Sequence, residues 1–324
     1  MLYYNDDESR RINKMLFIDV EDTKRLKVVS CLIILYLSFS VVREMVNFHY
    51  FALAAVFRIL CYLIMAFGCL TDKDKAIGTG ALMIGFLEML TVLRSSFTND
   101  GFDLAYMIYG WHLLRSFAFV SLWLIMTSRN KINTFTCFLP FVLLAVSYAG
   151  SGLYNTNSLL LLLADALLCL TATIKKQVGK KGAMTDSLMR ALIGLIGSLL
   201  PILIFVLMYE LYPDTMDYYF GPTDSDYFLL FAMDIWSSFG APLMLTIGFF
   251  VSLVIYRFAA DEAESLAGCI GCSLLISVIV YVICALLHFI IEFLLGLSPL
   301  IAAILFIGAI LAMPTIPVVQ VIDW

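Results

Sequence analysis

The chain has 324 residues, of which 62% are hydrophobic and 14% charged, against about 45–50% and about 25% in soluble domains. A soluble fold could not hide so much apolar surface, because surface grows too fast relative to volume, so lipid must be the main solvent. The net charge of −5, with no basic stripe of the kind nucleic acid requires, argues against a nucleic-acid partner.

Residues 1–27 are charged throughout and lack the apolar core of a cleavable signal. They read as a cytoplasmic leader, with a short interfacial helix using Ile12, Met15 and Leu16 on one face. Runs of the length that crosses a bilayer then follow at 28–43, 49–70, 77–94, 104–127, 133–149, 157–174, 187–209, 226–257, 266–295 and 298–318. No period-two alternation of a barrel is present, and only helices or barrels satisfy their backbone in lipid. The expectation is an all-α polytopic membrane protein of about ten helices, forming one domain over 28–318 with a short cytoplasmic tail at 319–324. Five-plus-five halves, 28–150 and 157–318, would match a common transporter plan, although no internal repeat is visible.

Orientation follows from Lys and Arg, which favour the cytoplasm. With the N-terminus inside, sixteen of the twenty basic residues fall in inner segments. Arg43 and Arg94 fall at outer ends, and Arg58 and Arg115 fall within the membrane. Ten spans place both termini inside, in an inner or plasma membrane. The segment YELYPDTMDYYFGPTDSDYF at 209–228 is acidic, aromatic and free of Lys and Arg. It reads as an interfacial aromatic girdle first and a lid over an outer pocket second.

Ionisable residues inside spans are costly, so they mark sites or buried pairs. At about 1.5 Å per residue, Arg115 comes to roughly 15 Å below the outer end of its span, Arg58 and Asp165 roughly 12 Å, His288 roughly 10 Å, and Glu88 and Asp234 roughly 9 Å. His112 is one turn above Arg115, and Glu292 one turn above His288. These groups share the outer half of the membrane, while the inner half is nearly all Leu, Ile, Val and Phe. That clustering points to a shared polar cavity open to the outside, with Arg115 facing a carboxylate or a ligand anion. The candidate ligand-binding residues are Arg58, Glu88, His112, Arg115, Asp165, Asp234, His288 and Glu292.

Spacing sharpens the set. His112 and Arg115 share a helix face, and His288 can touch Glu292. Asp234 with Ser237 and Ser238 precedes Gly240 and Pro242, a sequence that either breaks the helix at a binding site or merely kinks it. Two guanidiniums face four carboxylates, so Glu88 or Glu292 is expected to take up a proton or cation. Static Arg58–Glu88 and Arg115–Asp165 pairs are the plainer reading.

Other chemistry has little support. The CxxC of Cys269 and Cys272 stands alone, without the second pair or histidines a zinc site needs, and reads as packing. AGSGLY at 149–154 lacks the leading glycine of a serine-nucleophile loop and reads as an outer turn. No zinc-protease, aspartyl or phosphate-loop motif occurs, and neither a metal nor a cofactor is implied. Transport of a small polar or amphipathic ligand is the first reading. The second is a non-transporting sensor, immunity or assembly subunit acting through another membrane protein. The third is an intramembrane enzyme on a lipid-linked substrate, using His112 or His288; an enzyme is the less favoured class.

Overall fold

The computed structural model describes residues 20–47, 53–98, 101–102, 111–127, 134–151, 156–175, 181–220, 231–259 and 265–312. The side chains of some helix ends, among them 181–188, 231–239 and 298–312, lie outside that description, as does the proposed interfacial helix of the leader.

The described elements are α1 (Val20–Asn47), α2 (Leu53–Leu70), α3 (Asp74–Ser96), β1 (Phe97–Thr98), β2 (Gly101–Phe102), α4 (His112–Thr127), α5 (Thr134–Ser151), α6 (Thr156–Lys175), α7 (Lys181–Leu211), α8 (Pro213–Phe220), α9 (Phe231–Ala259) and α10 (Leu266–Ala312). Six segments are long and apolar enough to cross a membrane: Thr23–Val46, Leu53–Leu70, Asp74–Ser96, Met189–Leu211, Gly240–Ala259 and Leu266–Leu295. His112–Thr127, Thr136–Gly150 and Asn157–Thr173 are shorter apolar helices. This is a helical, multi-pass membrane protein. The one sheet among the described residues is a two-residue antiparallel ladder, Phe97 opposite Phe102 and Thr98 opposite Gly101.

One expectation changes. The ninth and tenth predicted spans form one continuous helix, α10, of 47 residues. At about 1.5 Å per residue it is roughly 70 Å long. The physical reason is visible in the sequence: no charged residue occurs between Glu292 and Asp323, so Gly296, Ser298 and Pro299 bring turn residues without a polar loop that would hold a reversal at the interface. For the eighth span the sequence leaves a break and a kink open. Gly240 and Pro242 do not break α9, which runs from Phe231 to Ala259 as one helix. The Thr246 hydroxyl donates to the Pro242 carbonyl at 2.7 Å.

Packing is antiparallel and sequential, as short connections dictate. Each of α1 to α6 packs on the next, and α6 returns to α1, closing a ring of six helices. Its core holds Ile34, Cys61, Met65, Ile77, Ile84, Phe119, Leu122, Leu144 and Leu168. Helices α7, α9 and α10 pack on one another as a second group, which meets the ring chiefly through α9 on α3. Aromatic rings fill that joint. Phe86 meets Phe250 edge-on at 5.5 Å, and Phe117 lies 6.4 Å from Phe249. Within the second group, polar tips are tied to backbone rather than to charge. The Tyr281 hydroxyl donates to the Ser198 carbonyl at 3.0 Å, Tyr256 to Arg190 at 2.9 Å, and Ser273 to Ile193 at 3.1 Å.

The α2–α3 turn shows how the ring is fixed at the predicted cytoplasmic end. The Lys73 amide donates to the Gly68 carbonyl at 2.8 Å, the bond that closes a helix through a left-handed residue. That residue is Asp72, at φ 56°, where glycine is usual. Its carboxylate compensates by binding Lys27, whose ammonium donates to Asp72 at 2.5 Å and to Asp74 at 2.7 Å. Lys27 is only 2% exposed, so a residue expected in the inner polar segment instead pins α1 to the α2–α3 turn. Close approach sets the rest. A Cβ on Gly80 would sit 2.5 Å from Met65 Cγ and 2.8 Å from the Cys61 carbonyl oxygen, so α2 and α3 meet backbone to side chain there.

Candidate functional site

The first part of α2, the middle of α3 and the start of α4, with the end of α5 beside them, bring four of the predicted site residues together. Glu88 is buried on α3, and each of its oxygens has a different partner. Arg58 of α2 donates from Nη2 to Oε1 at 2.7 Å. His112 of α4 lies with Nδ1 2.7 Å from Oε2. A carboxylate accepts only, so His112 donates from Nδ1. One anion thus ties three consecutive helices. The predicted Arg58–Glu88 pair is present. The partner side chains are 38% exposed for Arg58 and 34% for His112, so the carboxylate is inside and its two donors form its rim.

Arg115 is placed differently from the expectation. Helix α4 begins at His112, so Arg115 sits in its first turn rather than mid-helix. Its amide bonds the Trp111 carbonyl at 3.3 Å. Its Nε donates to the Ser147 hydroxyl at 3.1 Å, and its guanidinium carbon stands 4.7 Å from the centre of the Tyr148 ring. Ser147 in turn donates to the Trp111 carbonyl at 2.9 Å. The last turn of α5 is therefore a socket for the start of α4. Trp111 itself has φ 51°, an unusual place for a bulky residue. Its indole packs on Gly150, where a Cβ would meet the ring at 2.4 Å. Strain of this kind persists only where surroundings over-determine it, and it tends to gather at functional sites.

Sequence reasoning missed Trp111, Ser147, Tyr148 and Tyr62. Tyr62 is buried on α2 within electrostatic reach of Arg58, Glu88 and Arg115. A signal existed for one of them: Ser147 lies three residues before Gly150 on one small-residue face near the end of α5. Nothing in the pattern singled out Trp111, because its role depends on backbone conformation.

The remaining candidates separate. Asp165 on α6 is 3% exposed, and neither carboxylate oxygen has a hydrogen-bond partner. It is not paired with Arg115. His288 is buried on α10, 3.9 Å from Glu292 across one turn. The neighbouring Phe289 ring meets Tyr219 of α8 edge-on at 6.3 Å. Glu292 is itself 48% exposed. This pair belongs to the α8–α10 contact of the second helix group. The Asp234 side chain, with Ser237 and Ser238, lies outside the described residues. No group of three or more metal-ligating side chains occurs among the described residues.

No protein family, curated protein or solved structure matches this chain. The functional reading therefore rests on the geometry alone.

Proposed function

We propose that the chain binds a small polar or amphipathic ligand with an anionic group at the outer rim of the six-helix ring, and carries it across an inner or plasma membrane. The observation that carries this reading is the Glu88 bridge. A buried carboxylate fixes Arg58 and His112 in place, while about a third of each partner side chain stays exposed. Arg58 uses Nη2 on Glu88, and a guanidinium has several other N–H donors in a planar fork suited to carboxylate or phosphate. A preorganised cation costs less to engage than one that must first be ordered. Arg115, braced by Ser147 and Tyr148, extends the same rim along α4. Orientation, with the rim outside and the N-terminus inside, is supported by the distribution of Lys and Arg.

Purified protein in lipid nanodiscs tests the binding step. Dodecyl phosphate and laurate should raise the melting temperature, and dodecyltrimethylammonium should not. Arg58→Gln and Arg115→Gln should remove the rise. Equal effects of the cationic and anionic amphiphiles would end this reading. Uptake of the bound anion by proteoliposomes then tests transport.

A second reading has its own support. Tyr256, Ser273 and Tyr281 bond the backbone of neighbouring helices, which interlocks α7, α9 and α10 as a stiff unit. Stiffness suits a non-transporting subunit of a membrane complex. Binding without flux, with co-purification of another membrane protein, would favour it.

A further inference from the structure

We propose that Asp165 is a proton-binding carboxylate inside the ring, carrying an exchangeable proton as its counter-charge. The inference deepens the transport reading, because a coupling ion needs such a site, but the site's occupancy does not depend on that reading.

The argument compares two buried carboxylates in one ring. Glu88 has a cationic or hydrogen-bonding partner on each oxygen. Asp165 is 3% exposed and has none on either oxygen. On its own helix it shares a face with Leu161, Ala164 and Leu168, all in the ring core. An ionised carboxylate without a partner in such surroundings is costly, and the cost is removed by pairing or by neutralisation. With no hydrogen-bond partner on either oxygen, a bound proton is the direct means.

Among the described residues, no neighbouring element gives Asp165 a hydrogen bond. Helices α1 and α6 run antiparallel, and the Ser40 hydroxyl donates to Asn157 at 3.4 Å. Moving eight residues along α6 to Asp165, and eight back along α1 from Ser40, reaches residue 32 between Cys31 and Ile34. The Cys31 thiol there donates to the Ala66 carbonyl at 3.4 Å. Cys169, one turn on from Asp165, is in electrostatic reach of both Asp165 and Cys137 of α5. The thiols are the titratable groups of these faces. From α4, Arg115 bonds Ser147 and stacks on Tyr148. Lys27 at the inner end of α1 bonds Asp72 and Asp74. The contacts described for Arg115 and Lys27 are thus with other groups, and Asp165 is left to an exchangeable proton.

Infrared spectroscopy of the full chain in nanodiscs tests this without any organic ligand. Spectra are compared for wild type and Asp165→Asn near neutral pH, with and without added Na+ or K+. A protonated-carboxyl carbonyl band present in wild type and lost in the variant identifies the proton. A carboxylate band present in wild type and lost in the variant, whether or not Na+ or K+ shifts it, overturns the proposal. Asp165→Glu, which keeps the carboxyl and displaces its band, supplies the same comparison if the asparagine variant does not fold. Failure of anion binding at Arg58 would leave this result standing, so the two readings fail separately.

Discussion

His112 Nδ1 and Glu88 Oε2 lie 2.7 Å apart, and the other oxygen of the same carboxylate holds Arg58. The contact joins the start of α4 to the middle of α3 and sets where the rim of the ring lies. Glu88→Gln should leave two donors facing an amide. Both donor side chains are about a third exposed, so water offsets part of the loss, and a destabilisation of about 1–3 kcal/mol is expected. Denaturant or thermal unfolding in nanodiscs measures it. An unchanged melting temperature would mean the bridge is not formed in the membrane.

Arg115 and Tyr148 form the second rim contact. Arg115→Lys keeps the charge but loses the planar face on the ring and the Nε bond to Ser147. A loss of about 1 kcal/mol is expected, matching Tyr148→Leu. The double variant should be less destabilised than the sum, because both changes remove one contact. Strict additivity would show that the two side chains do not interact.

At the opposite end, Asp72 combines a left-handed backbone with a carboxylate on Lys27. Glycine relieves the backbone cost and loses the bond, whereas alanine loses the bond and keeps the cost. Asp72→Gly should therefore be more stable than Asp72→Ala by about 1 kcal/mol. The reverse order, read by unfolding, would place Asp72 in an ordinary helical conformation. Lys27→Met should be worse than either Asp72 variant, since it frees both Asp72 and Asp74.

Gly80 tests the close packing of α2 on α3. An added methyl would press on the Cys61 carbonyl, which is backbone and does not rotate away. Gly80→Ala should destabilise by about 1–3 kcal/mol, in the range of overpacked cores. A neutral result would mean the helices stand further apart than the structure shows.

Glu292 should matter little. It is about half exposed and 3.9 Å from His288, so Glu292→Gln should change stability by less than about 1 kcal/mol. A larger loss would require a stronger tie between α10 and α8 than this ion pair.

Sequence alone determined the solvent and the helical class. These follow from summed hydropathy and backbone satisfaction in lipid, neither of which needs contacts to be known. It also made Arg58 and Glu88 candidates for one pair, because their depths matched. Depth is a single coordinate, however. Asp165 and Arg115 lie at similar depths too, yet one is buried against apolar helices and the other is held by Ser147 and Tyr148. Which helix faces which, and how each is rotated, is decided by side-chain packing around the closed ring. The same holds for Lys27, which a hydropathy count puts in water and the α2–α3 turn draws inside. Continuity of α10 was likewise settled by the backbone, since glycine and proline suggest a turn but only a stable polar loop enforces one.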